Sequence, residues 1–152
     1  MSPRHWVRIA VAITLGAALA ATLPALPAVS QQSPPPPMVE IADTATLAAG
    51  GAALFVTVTV TCPADSDYAE LYVSVSQRRG SRVANGSGYV SEFTCTGEPQ
   101  EITVPVLAYG ATFRQGVAFA TAQLYVCGPF GCMSATDAEE ITIVRADRAA
   151  AA

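Results

Sequence analysis

An all-β fold, an antiparallel sandwich of about seven strands behind an N-terminal export signal, is what this 152-residue sequence predicts. Three observations lead there. Leu54 to Cys62 alternates without a break, so that Leu54, Val56, Val58, Val60 and Cys62 share one face and the threonines the other. Similar stretches recur about every 10 to 15 residues with Gly, Pro and Asn between them, the spacing of a sandwich or barrel. No stretch after residue 30 carries a helical period of useful length.

In chain order, residues 1–30 read as a signal peptide. Arg4, His5 and Arg8 precede a 15-residue apolar run, Ile9 to Leu23, short of the roughly 20 residues a membrane span needs. Small residues at Ala28-Val29-Ser30 place cleavage before Gln31, an uncleaved anchor being the alternative. Residues 31–37, QQSPPPP, form an extended spacer that packs nothing, because proline fixes φ and removes donors.

The sandwich domain is then 38–145. Its first strand is Met38 to Leu47, with Val39 and Ile41 on one face, turned by Ala49-Gly50-Gly51 into the second, Leu54 to Cys62. After an acidic loop, Leu71 to Ser76 is the third. Gln77 to Gly88, rich in Arg, Asn-Gly and Gly-Ser-Gly, reads as a flexible connection. Tyr89 to Cys95 is the fourth strand, with Tyr89 and Phe93 on the cysteine's side. Glu101 to Leu107 is the fifth, with Pro105 marking a strand end, a bulge or an edge. Val117 to Cys127 is the sixth, and its pattern leaves open which of two residue sets is buried. Glu140 to Arg145 is the seventh, and 146–152 is a disordered tail. Seven strands of this spacing fit an immunoglobulin-like arrangement.

If the strands alternate up and down, Cys62, Cys95, Cys127 and Cys132 all fall at one end. Four cysteines in a small exported domain read as two disulfides. Cys62 with Cys95 and Cys127 with Cys132 is the favoured pairing: the second clamps a four-residue turn and the first joins neighbouring strand ends. Loop-closure entropy gives these about 3.8 and about 2.2 kcal/mol. The rival joins Cys62 to Cys127, imitating the bridge between immunoglobulin sheets, for which Tyr125-Val126-Cys127 supplies the Tyr-x-Cys pattern.

Composition removes several function classes. The only histidine, His5, and the only tryptophan, Trp6, leave with the signal, and the chain has no lysine. Without them no Ser-His-Asp, Cys-His or Ser-Lys site can be built, and an enzyme is not expected. Losing Arg4 and Arg8 leaves six arginines against twelve carboxylates. Such an acidic chain lacks the footprint of a nucleic-acid binder or an anionic-membrane binder. No metal or cofactor is expected: oxidised thiols are poor zinc ligands, and Asp65, Asp67 and Glu70 lack the calcium-loop series. The carboxylates are expected in loops or on water-facing strand positions. Asn85-Gly86-Ser87 is a glycosylation sequon and, first of all, a turn.

Val58-Thr59-Val60-Thr61-Cys62, Val73-Ser74-Val75-Ser76-Gln77, Thr94-Cys95-Thr96-Gly97 and Phe113-Arg114-Gln115-Gly116-Val117-Ala118 carry a family resemblance. Over roughly Leu54 to Cys127 the chain resembles an uncharacterised family of small secreted actinobacterial β-sandwich proteins. The resemblance implies a secreted sandwich and supports the Cys62 to Cys95 pairing; it implies no activity. A looser likeness is to the enediyne-binding, neocarzinostatin-like apoproteins, which also carry a Cys-x4-Cys turn, although the Cys62 to Cys95 spacing departs from theirs.

The expected function is an exported, secreted or cell-envelope, non-enzymatic binding module. Its partner would be an extracellular protein, a glycan or a small molecule, with no membrane insertion of the mature chain. The candidate binding residues are Tyr68, Tyr72, Thr96 and Phe130, around the cysteine end, because a rigid exposed aromatic on a clamped turn binds at low entropic cost. Alternatives are a small-molecule carrier with an aromatic cleft between the sheets and a protease inhibitor presenting the Cys127 to Cys132 loop.

Overall fold

The computed structural model describes residues 35–91 and 93–146. The expected signal peptide and its cleavage site, most of the expected spacer and all but the first residue of the expected tail lie outside them. Pro37, inside the spacer, is buried rather than free of contacts.

Seven strands follow one another: β1 Met38–Ala48, β2 Ala53–Thr61, β3 Tyr68–Arg79, β4 Arg82–Val90, β5 Gln100–Tyr109, β6 Gly116–Gly128 and β7 Gly131–Arg145. They form a single closed sheet in the order β1-β2-β5-β4-β3-β6-β7. The expected purely antiparallel arrangement is corrected at one seam. Strands that alternate up and down give β1 and β7 the same direction, so the pair that closes an odd-numbered ring is parallel: Thr44 to Leu47 lie against Thr142 to Arg145. Every other pairing is antiparallel.

The interior is the apolar face of each strand. Leu54, Val56, Val58 and Val60 are fully buried, as the alternation of β2 requires, and they meet Leu71, Val73 and Val75 of β3 and Val104 and Val106 of β5. Each such side chain contributes roughly 1.5–3 kcal/mol by leaving water. The buried set of β6 is Ala118, Ala120, Ala122, Leu124 and Val126. Leu124 and Val126 share the parity of the alanines, the signal that resolves what the alanine run alone leaves open.

Three further expectations are corrected. Gln77 to Gly88 is no flexible connection: β3 and β4 pair continuously from Leu71 with Val90 to Arg79 with Arg82, closed by Gly80-Ser81. The residues that read as turn signals are strand residues chosen for space. A Cβ on Gly86 would lie 2.8 Å from the Phe113 ring, and one on Gly88 would lie 2.1 Å from the Pro105 carbonyl. Secondly, the fourth strand ends at Val90, so Cys95 belongs to a connection, and Tyr89 points out of the barrel with Val83, Asn85 and Ser87 while Ala84 and Gly86 point in. Thirdly, β7 begins at Gly131 rather than Glu140, because its first half pairs with β6 as a long hairpin. Phe113, from the connection before β6, plugs the barrel interior, its N–H donating to the Gly51 carbonyl at 2.8 Å.

The two ends of the ring differ. At the end holding Gly51, Gly80 and Phe113, β1 pairs with β7 and β4 pairs with β5. Towards the other end both seams part. β1 shifts register between Ile41 and Ala45, so that Met38 to Ile41 pair with β2 alone. Pairing of β4 with β5 stops at Ser87 with Leu107, which is why Pro105, lacking an N–H, is tolerated in β5. At this parted end lie both disulfides, Cys62 with Cys95 and Cys127 with Cys132. The favoured connectivity holds, and the connecting residues 62–67, 93–99 and 129–130 share that pole.

Candidate functional site

The outer face of β4, β3 and β6 carries the densest group of exposed aromatic side chains. Alternation puts Tyr68, Glu70, Tyr72, Ser74 and Ser76 of β3 outward, and the register sets neighbours beside them. Tyr72 lies opposite Tyr89 on one side and Gln123 on the other. Glu70 lies opposite Tyr125, and Ser76 opposite Phe119. Tyr72 is 44% exposed and Tyr89 66%, and Tyr68, Tyr125 and Phe119 are exposed too. Between the rings stand hydroxyls and amides: Ser74, Thr121, Gln123, and Asn85, whose Oδ1 accepts from Ser76 Oγ at 2.8 Å.

Near the cysteine pole the rings are fixed by one another. Tyr68 and Tyr125 meet edge to face, with centroids 6.4 Å apart, a geometry favoured by the ring quadrupoles. The Tyr68 hydroxyl donates to Glu70 Oε2 at 2.7 Å, and this hydrogen bond, with the carboxylate's charge nearby, raises the phenol above its usual range. Tyr68 also sits opposite Cys127, so the hairpin clamped by Cys127 and Cys132 anchors the aromatic strip at its upper end. At the tip of that hairpin the Phe130 ring is 72% exposed and does not fold down over the core. The loop after Cys62 packs beneath the turn: Asp67 N–H donates to the Cys127 carbonyl at 2.9 Å, and Pro63, Asp65 and Ser66 form a small dimple with Phe130.

Of the four residues expected from the sequence, Tyr68 and Tyr72 share this face and Phe130 stands at its upper end. Thr96 lies on the β2 and β5 side of the pole, beside the Cys62 to Cys95 bridge, where its Oγ1 accepts from the Glu98 N–H at 3.3 Å. It does not join the aromatic strip. Tyr89, Phe119 and Tyr125 are the members the sequence reading misses. Tyr89 is hidden by the misplaced fourth strand. Phe119 and Tyr125 are hidden by the unresolved parity of β6, which Leu124 and Val126 fix.

The carboxylates are not all in loops or facing water. Asp137 and Glu139 occupy inward-facing positions of β7 at the parted seam. Asp137 Oδ2 accepts from the Ile41 N–H at 2.9 Å, replacing the ladder bond that β1 lacks above its shift. Glu139 Oε1 is buried without a hydrogen-bond partner, and desolvation, followed by the charges of Asp137, Asp43 and Glu40, raises its pKa. Inward charges of this kind guard an unpaired strand edge against pairing with another chain. Among the described residues no group of three or more His, Cys, Asp or Glu is placed to hold a metal ion.

No protein-family model and no curated relative matches the chain. Among solved structures it has a distant likeness to two all-β proteins. One is Spo0M, a sporulation control protein from Bacillus subtilis, at 16% identity and a TM-score of 0.36, covering 74% of this chain. The chain spans about half, 51%, of the Spo0M chain. The other is AggA, the major subunit of aggregative adherence fimbriae type I from Escherichia coli, at 10% identity and a TM-score of 0.37, covering 73% of this chain and 95% of that one. These comparisons assign no family.

Proposed function

We propose that this chain is an exported, non-enzymatic binding module that holds a neutral extracellular glycan on the outer face of β4, β3 and β6. The observation that carries this reading is the strip of exposed rings, Tyr68, Tyr72, Tyr89, Phe119 and Tyr125, spread over three adjacent strands with hydroxyl and amide side chains between them. A sugar ring presents an apolar CH face and a polar rim. The first suits a tyrosine ring and the second suits Gln123, Asn85, Ser74 and Thr121. Side chains held by a rigid sheet lose little freedom on binding. We read the closed sheet as a flattened, immunoglobulin-like sandwich, and the two disulfides suit an oxidising compartment outside the cell.

The carrier alternative draws no support from the interior, which is filled by buried aliphatic side chains and Phe113. The inhibitor alternative rests on Phe130 alone.

Retention of the exported chain on a panel of insoluble neutral polysaccharides tests the proposal. Tyr72→Ser with Tyr89→Ser is expected to abolish retention on whichever member holds the wild type, with the melting curve unchanged. Phe130→Ala is expected to weaken it only partly. Retention indifferent to the tyrosines would overturn the reading, and inhibition of an extracellular subtilisin-like protease lost with Phe130→Ala would favour the inhibitor.

A further inference from the structure

The pole opposite the disulfides holds the positive charge. All five arginines among the described residues are there: Arg78, Arg79 and Arg82 on the β3–β4 hairpin, Arg114 before β6, and Arg145 at the end of β7. No Asp or Glu falls in the segments that build this pole, residues 48–53, 77–84, 108–117 and 143–146. Of the ten described carboxylates, Glu140 of β7 borders this pole, lining a groove with Arg78 and Phe119, and the other nine lie in other segments.

Folding alone gives no reason for this arrangement. Arg79 and Arg82 are directly opposed across the hairpin, and like charges placed so are destabilising. With twelve carboxylates in the chain, dispersing the arginines among them would be favourable. Instead the pole is held together by dedicated contacts. Gln77 is 3% exposed, at the last inward position of β3, and grips the backbone of Arg114 on both sides. Its Oε1 accepts from the Arg114 N–H at 2.9 Å and its Nε2 donates to the Arg114 carbonyl at 2.8 Å. The Arg79 guanidinium donates to the Thr112 carbonyl in the same connection. These links fix the loop that carries Arg114 against the hairpin that carries the other three. Arg114 stands between two open grooves of about 480 and about 1090 Å³, the first lined also by Arg78 and Arg79, the second reaching Arg145.

We propose that this pole is a binding site, centred on Arg114 and distinct from the tyrosines of the outer face, for an extended extracellular polyanion carrying phosphodiester groups. The argument is charge complementarity combined with shape. Guanidinium forks match phosphate oxygens in bidentate geometry. Two grooves meeting at Arg114 suit a chain that passes through rather than a single ion. The acidic remainder of the molecule repels such a polymer everywhere else, so it approaches along one axis only.

The test uses the exported chain and synthetic poly(glycerol phosphate) as probe, with poly-L-glutamate as comparison, followed by titration calorimetry at several salt concentrations. Binding to the phosphate polymer is expected to weaken about 50-fold between 50 and 200 mM salt, as release of counterions from about four phosphates requires. Arg78→Gln with Arg82→Gln, both on an exposed hairpin, is expected to lower the affinity at least about tenfold and to reduce the salt slope by about 1.4. Tyr72→Ser with Tyr89→Ser is expected to bind the polymer like the wild type, so this proposal and the glycan reading fail separately. No binding at 50 mM salt, binding indifferent to the arginines, or equal affinity for poly-L-glutamate would overturn it. So would concentration-dependent self-association, seen in sedimentation velocity and lost with the arginines, since the acidic pole of a second copy would then be the occupant.

Discussion

At the arginine pole the seven strands are joined by backbone hydrogen bonds on both seams, whereas at the cysteine pole β1 leaves β7, β4 leaves β5, and covalent bridges hold the ends. One end is closed by ladders and a buried Phe113; the other is closed by two disulfides and by Asp137 standing in for a missing ladder bond. The difference shows what each end is free to do. A pole closed by backbone pairing can carry repelling arginines without coming apart. One closed by disulfides can open its seams and present loops and rings.

The sharpest way to break this contrast is to remove the bridges. Replacing Cys62 and Cys95 together by Ser is expected to cost about 3.8 kcal/mol, and replacing Cys127 and Cys132 about 2.2 kcal/mol, in chemical denaturation. Equal losses, or none, would mean that the parted end is held by packing.

A comparable loss is expected where β4 still crosses close to β5 just beyond the end of their ladder. Gly88→Ala puts a Cβ 2.1 Å from the Pro105 carbonyl, and overpacking of this kind costs roughly 1–3 kcal/mol. Gly80→Ala meets open space and only its positive φ of 63°, so the smaller part of that range is expected. A thermal melt that ranks the two the other way would contradict the close approach.

At the arginine pole, Gln77→Ala leaves the Arg114 backbone without its side-chain partners, for a cost of roughly 1–3 kcal/mol. Faster amide hydrogen exchange at Arg114 is the accompanying signature. Gln77→Glu, which keeps the acceptor and loses the donors, is expected to protect that amide.

The smallest effect is expected at the parted β1–β7 seam. The folded-state pKa of Glu139 is raised above its unfolded value, first by desolvation and then by Asp137, Asp43 and Glu40. The folded protein therefore binds the proton more tightly, and the stability this contributes is present below the unfolded pKa and lost as pH rises through the folded one. Glu139→Gln is accordingly expected to be more stable than the wild type at pH 7, the difference vanishing below about pH 4. Denaturation curves at the two pH values check the sign.

Much of the fold was legible from residue patterns, and the failures have physical causes. β2 was plain because its alternation runs unbroken into a buried face, and the four cysteines fell at one pole because strands alternate in direction. β4 was missed because its inward face is Ala84, Gly86 and Gly88, small for the sake of Phe113 and Pro105, and small residues imitate turn chemistry. The parallel seam depends on which strands become neighbours, a long-range fact that local periodicity does not carry. The same misplacement of β4 hid Tyr89. Phe130 was legible as an exposed ring because the Cys127–Cys132 spacing marks a clamped turn, and Tyr68 and Tyr72 because the alternation of β3 sets them outward. The arginine pole was split in the sequence between a hairpin read as a flexible connection, a loop and a strand end, and only the closed ring brings these together.

The glycan-binding reading is tested most directly by mapping the bound surface with backbone amide NMR while a soluble oligosaccharide of the retained polysaccharide is added. Perturbations are predicted on β3, β4 and β6 around Tyr68, Tyr72, Tyr89 and Tyr125, with the residues around Gln77 and Arg114 unmoved. Perturbations confined to the arginine pole, or to Phe113 and the barrel interior, would contradict it.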